Sequence, residues 1–189
     1  MRWFLRETTV GREPLVVSMT SVRPGERVLQ IGANNPAIVH AIANKAGLTG
    51  LATVVAPNDT MADRVRRYTG DDSSAADIRI EPLEHLPFED GTYDAAIVHN
   101  TEGLLTSLDA DVRQHALREW LRVLRVGGRL IVLDPGKPTG IRGLFAGGGR
   151  EGASASGGTT SSLQTAGFTS VRVLGDREGY RFVEGFRPR

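Results

Sequence analysis

The chain has 189 residues, a formal net charge of +1 and no cysteine. That length suits one domain with a substantial core, and the balanced charge leaves no electrostatic footprint for nucleic acid or an anionic membrane. The missing thiols exclude disulfides, thiolate nucleophiles and thiolate metal sites together.

The apolar start, Met1 to Leu5, is broken by Arg6 and Glu7, and no later stretch approaches the roughly 20 apolar residues of a membrane span. A soluble cytoplasmic protein is therefore expected, folded as one domain over residues 1–189. Leu15 to Ser21 reads as a short helix, stopped by the turn Arg23-Pro24-Gly25-Glu26. Val28 to Ile31 reads as a buried strand. It leads through Gly32-Ala33-Asn34-Asn35-Pro36 into a helix over Ala37–Ala46 that ends at Gly47. Leu51 to Ala56 is a second strand and Thr60 to Tyr68 a second helix of the alternation, followed by a polar loop over Asp71–Ala76.

Ile78–Leu83 and Tyr93–His99 give two further strands around the turn-rich Leu86-Pro87-Phe88-Glu89-Asp90-Gly91. From Asp111 to Arg125, Val112, Ala116, Trp120, Leu121 and Leu124 form one apolar helical stripe, with arginines opposite it at 113, 118, 122 and 125. Such a stripe is more often a solvated face than a binding patch. Val126-Gly127-Gly128 is expected to stop this helix before a fifth strand, Arg129–Leu133, that ends at Asp134-Pro135. Residues 136–162, rich in glycine, serine and threonine, read as a mobile or lid-like loop before a short helix near Leu163–Ala166. Ile141, Leu144 and Phe145 are its docking candidates, and Gly147-Gly148-Gly149-Arg150 lacks the strand-to-helix setting of a phosphate cradle. Ser170–Leu174 and Tyr180–Phe186 close the chain as an antiparallel hairpin.

Strands alternating with helices predict an α/β domain with a mostly parallel sheet covered on both faces. The alternation, the segment Leu86 to Asp94 before the fourth strand and the segment Leu117 to Leu130 before the fifth resemble the class I S-adenosylmethionine-dependent methyltransferases, of the methyltransferase type 11 kind. The resemblance covers nearly the whole chain. It implies a Rossmann-like fold with a seven-stranded sheet and a C-terminal antiparallel hairpin, a dinucleotide-binding Rossmann domain being the alternative.

The resemblance also implies S-adenosylmethionine as cofactor, held by a glycine-rich loop and three acids. The acids stand at the end of the first strand, after the second and after the third. In this chain those positions hold Gln30, Ala56 and Pro82, so all three carboxylates are absent. The cofactor-binding set carried over is Gln30, Gly32, Ala33, Asn34, Ala56, Pro82, Leu83 and His99. Each hydrogen bond to a charged group contributes about 1.5–3 kcal/mol, so three losses reach roughly 4–9 kcal/mol, against about 8 kcal/mol for a micromolar ligand. Asn58, Asp59, Glu81 and Glu84 are near enough in sequence to substitute. Asn34, Asn35 and Pro36 add bulk where small residues would admit the methionine moiety.

His99-Asn100-Thr101-Glu102 follows the fourth strand, where His99 is a candidate general base and Glu102 its orienting partner; the alternative is that they cap the next segment. His40, His85 and His115 are isolated, so no metal site is expected. No Gly-x-Ser-x-Gly elbow occurs in a strand-to-helix setting, and the Asn-Pro-Pro-Tyr type of motif is absent, which argues against nucleic acid or glutamine as acceptor. Two functions follow. One is a methyltransferase-like protein with a degraded donor site and a partner-binding or regulatory role, through a protein partner or self-association. The other is an active methyltransferase acting on a small molecule. A third possibility is a different small ligand held by Asn34 and Asn35.

Overall fold

The computed structural model describes residues 15–70, 76–136 and 151–189, without the side chains of residues 151–157. Its elements are α1 (Leu15–Met19), β1 (Arg27–Ile31), α2 (Pro36–Ala46), β2 (Leu51–Ala56), α3 (Asp59–Thr69), β3 (Asp77–Ile80), β4 (Tyr93–His99), α4 (Ala110–Val123), β5 (Leu124–Pro135), α5 (Glu151–Ala166), β6 (Thr169–Arg177) and β7 (Tyr180–Phe186). They build one seven-stranded sheet in the order β3-β2-β1-β4-β5-β7-β6. The first five strands run parallel, and β7 is antiparallel to both β5 and β6. This is the mixed, Rossmann-like sheet expected from the sequence.

Strand alternation sorts the core onto two faces. Val28, Ile97, Ile131 and Phe182 pack against α1 and α2. Leu29, Ala96, Leu130 and Val183 pack against α4 and α5, around the fully buried Trp120. Trp120 also donates through Nε1 to the Leu83 carbonyl at 2.9 Å, which fixes the connection after β3 from beneath. A buried indole N–H without a partner would cost about 1–3 kcal/mol, so this bond helps specify the loop path.

Of the arginine stripe, Arg113, Arg122 and Arg125 make structural contacts and Arg118 is exposed. Arg122 bonds Glu119 at 2.6 Å and Asp90 at 2.5 Å, and Arg125 bonds Asp94 at 2.6 Å. Arg113 donates to the Leu105 carbonyl.

Of the boundaries that differ from the sequence reading, three bear on the core and the site. α4 ends at Val123, ahead of Val126-Gly127-Gly128, because Leu124 already takes extended backbone and pairs with Tyr93; the glycines then sit at the register break of β5. β3 stops at Ile80, so Pro82, which lacks an N–H for a ladder, lies beyond it. Residues 151–162, expected in the long loop, are helical as part of α5. The composition favours a loop, but Thr159, Leu163 and Ala166 are buried against the sheet face, and packing overrides the weak propensity. The remainder of that expected loop, with Ile141, Leu144, Phe145 and Gly147–Arg150, lies outside the described residues, as do residues 71–75 of the polar loop.

Candidate functional site

Sheet order reverses between β1 and β4, and the carboxyl ends of β1, β4 and β5 lie side by side at that point. In open α/β sheets this is where ligands enter. Gln30, Gly32, Ala33, Asn34, His99, Asn100 and Asp134 meet there, because strand register pairs Gln30 with Ile97 and His99 with Leu133.

Gln30 and His99 share the α2 face of the sheet. Gln30 is fully buried and donates through Nε2 to the Val39 carbonyl of α2 at 2.9 Å. A carbonyl can only accept, so the amide orientation is fixed and Oε1 points to His99 Nε2 at 3.0 Å. His99 therefore carries its proton on Nε2. Burial pushes its pKa down from 6.5 to about 4, leaving the ring neutral at pH 7. A base that weak is poorly matched to proton abstraction near neutrality. Glu102 is exposed on the turn after β4, and Gln30, not Glu102, orients the imidazole.

The loop between β1 and α2 keeps one constrained glycine. Gly32 has φ +76°, and a Cβ there would lie 3.2 Å from the His99 carbonyl, so no other residue fits without strain. Ala33 is buried and its N–H points at the Met61 sulfur at 3.1 Å. Asn34 donates to the His99 carbonyl at 3.4 Å, while its Oδ1 is buried without a partner. Asn35 caps α2, accepting from Ala37 N at 3.2 Å and Ile38 N at 3.4 Å, and its amide reaches the Tyr180 hydroxyl at 3.4 Å. Pro36 occupies the first helical position, where its missing N–H costs nothing.

Ala56 is fully buried at the end of β2 and brings no polar side chain. Asn58, the nearest amide, accepts from Met61 N at 2.9 Å as the cap of α3. Beyond β3, Pro82 is exposed and Leu83 buried; Glu81 is half-buried and Glu84 exposed.

A second polar pair occupies the opposite face. Asn100 donates through Nδ2 to Asp134 Oδ1 at 2.5 Å, and its own Oδ1 accepts from Leu105 N at 2.7 Å. Burial raises the Asp134 pKa, while Asn100, the Thr159 hydroxyl and the Arg181 charge favour its ionised form. Asp134 Oδ2 nevertheless completes no hydrogen-bond geometry. The sequence reading singled out Asn100 and Asp134 separately but not their contact. It did not find Met61, Thr159 or Tyr180, whose positions depend on how α3, α5 and β7 pack. Among the described residues no group of three or more His, Cys, Asp or Glu side chains is arranged for a metal, and no helix is long and apolar enough to cross a membrane.

Residues 29–132 match the model of the family described as Methyltransferase domain. The ubiquinone/menaquinone biosynthesis C-methyltransferase UbiE of Ectopseudomonas mendocina (strain ymp) is 33% identical over 124 residues, which are 65% of this chain and 46% of that protein. The chain thus spans about half the length of the curated relatives it matches. Among solved structures, a SAM dependent methyltransferase from Aquifex aeolicus superposes with a TM-score of 0.69 at 17% identity, covering 91% of this chain and 87% of that one. The complex between the Haloferax volcanii Trm112 methyltransferase activator and a putative methyltransferase gives a TM-score of 0.63 at 14% identity, covering 93% and 88%. At those identities the structures speak to the fold alone.

Proposed function

This chain belongs to the methyltransferase domain family, and from that premise we propose that it is a member whose donor pocket holds S-adenosylmethionine weakly or not at all, and which acts by binding another protein. The observation that carries this reading is the double engagement of Gln30. Its amide is held between Val39 and His99 and brings no charge to a ligand's ammonium group.

The donor's other expected partners fit no better. Ala56 brings no carboxylate to ribose hydroxyls, and Asn58 is already the cap of α3. The Met61 sulfur covers the Ala33 N–H, and the Asn34 side chain leans back onto the His99 carbonyl. These contacts close the loop on itself with groups that a nucleoside would have to displace. Loss of three charge-assisted hydrogen bonds is comparable with the roughly 8 kcal/mol of a micromolar complex.

The partner role is supported by the fold's record in one structural relative, a methyltransferase complexed with an activator. The likeness to C-methyltransferases supports a second reading, an active enzyme with a small-molecule acceptor. Positioning alone can carry much of a transfer reaction, so a missing catalytic base does not separate the two. Thermal melting does: addition of S-adenosylmethionine at micromolar concentration leaves the midpoint unchanged on the first reading and raises it on the second.

A further inference from the structure

The two edges of the sheet are built differently. β6 breaks register with β7 twice, between Thr169 and Arg172 and between Val173 and Gly175, which denies a neighbouring chain a regular ladder. β3, at the other edge, pairs with β2 in unbroken register from Asp77 to Ile80, and among the described residues no strand lies beyond it. The Glu81 N–H bonds inward to the Ala56 carbonyl, so strand alternation turns the main-chain groups of Ile78 and Ile80 outward.

Alternation also gives this strand two unlike faces. Ile78 packs toward α2 and α3, and Ile80 shares that side, where Leu48, Leu51 and Tyr68 are exposed as well. Asp77 and Arg79 lie on the opposite face, bonded to each other at 2.7 Å, with the Arg79 guanidinium 5.4 Å from the Phe88 ring centre. Arg27 and Glu89 border them with one charge of each sign, and on the helix side Arg66 is paired with Asp63 at 3.0 Å. These charges balance, so they select neither an acidic nor a basic partner. Their order along the strand selects something narrower.

An antiparallel copy of β3 must set outward main-chain groups against outward ones, so even-numbered residues face even-numbered residues. Centred on Ile78, that pairing puts Asp77 opposite Arg79 of the second copy and Arg79 opposite its Asp77. Ile78 then meets its own counterpart on the helix side, and Ile80 meets Ala76. Centred on Asp77 or on Arg79, the pairing sets like charges face to face, which destabilises a strand pair. Centred on Ile80, it brings Pro82, which has no N–H, opposite Ile78. The strand is therefore complementary to itself in one register.

We infer that two copies of this chain associate about a two-fold axis through Ile78, with their β3 strands antiparallel and the sheet continuous across the pair. Main-chain pairing and the apolar row of Ile78 and Ile80 supply the attraction, and the crossed Asp77–Arg79 pairs fix the register. The inference goes beyond the functional reading above and uses no part of the donor pocket.

The test is sedimentation velocity of the full chain over a series from micromolar to about millimolar concentration, because so short an interface belongs to the weak, transient class. Wild type is expected to dimerise reversibly. Asp77→Arg and Arg79→Asp, at exposed positions, each set like charges across the axis and are expected to weaken the dimer about tenfold or more. Mixing the two variants restores association as a heterodimer, and the double variant restores it within one sequence. Retained cooperative melts show that the variants fold. Ile80→Pro, which removes an outward N–H and leaves the bonds to β2 intact, also weakens the dimer. A wild-type chain that stays monomeric throughout leaves the edge to another protein and overturns the proposal. A dimer indifferent to the single charge variants belongs to another surface, and a mixture no better associated than its components removes the register; either result overturns the proposal too. Tight S-adenosylmethionine binding would defeat the functional reading while leaving these results unchanged, so the two failures are distinguishable.

Discussion

Nε2 of His99 stands 3.0 Å from Oε1 of Gln30 inside the domain, and the far side of the same amide holds the Val39 carbonyl at 2.9 Å. One side chain thus ties β4, β1 and α2 together at the point where the sheet order reverses. The amide is chemically necessary in this arrangement, because it must donate on one side and accept on the other. Gln30→Glu places a carboxylate oxygen against the Val39 carbonyl. The expected outcome is a loss of about 1–3 kcal/mol in a denaturant melt at neutral pH, with an upward shift of the His99 titration in NMR as the imidazolium gains a counter-charge. A variant as stable as wild type, with His99 unmoved, would show that the relay carries no energy.

Acid sensitivity follows from the same histidine. Its folded-state pKa, about 4, lies below the ordinary 6.5. The unfolded chain therefore binds more protons between those values, and stability falls as pH drops from about 6.5 to about 4, then levels off with respect to this group. The full span corresponds to about 3 kcal/mol. His99→Gln should flatten this limb of the stability profile. An unchanged acid limb in that variant would assign the sensitivity to other groups.

Much of the architecture was legible in the chain because hydrophobic period and turn residues agree there. β2, β4 and β7 match the sequence reading to the residue, and α2 ends before Gly47 as expected. The glycine, serine and threonine content of residues 151–162 suggested a loop, since only long-range burial of Thr159 and Leu163 makes a helix of them. That positions 30, 56 and 82 carry no carboxylate was also legible in one dimension. The contacts made nearby were not: the His99–Gln30 bond, the Asn100–Asp134 contact and the Met61 sulfur over Ala33 join residues 28 to 69 positions apart, and the Gln30–Val39 bond crosses the loop from β1 to α2 with no pattern to announce it.

Asn58 offers a way to separate a structural cap from a ligand contact. Its side chain accepts from Met61 N, so Asn58→Ala should lower stability by about 1 kcal/mol. On the present account it changes the affinity for no nucleoside. A selective loss of S-adenosylmethionine binding without a change in melting would show that Asn58 has taken over the role missing at Ala56.

The Asn100–Asp134 pair makes a further distinction between charge and shape. Asp134→Asn keeps an Oδ1 acceptor for Asn100 and removes a buried charge, so the domain should retain its stability near neutral pH. Asp134→Ala leaves the buried Asn100 donor unpaired and is expected to cost about 1–3 kcal/mol. Equal destabilisation by both substitutions would mean that the carboxylate charge itself holds β5 against its surroundings.

The most direct measurement is calorimetric titration of the wild-type chain with S-adenosylmethionine, beside the Ala56→Asp variant that returns one carboxylate to the end of β2. The expected result is no saturable heat for wild type at micromolar ligand, with a detectable gain in the variant. A wild-type dissociation constant in the micromolar range would contradict the account, because the pocket would then grip the donor without the carboxylates on which its loss of affinity is argued.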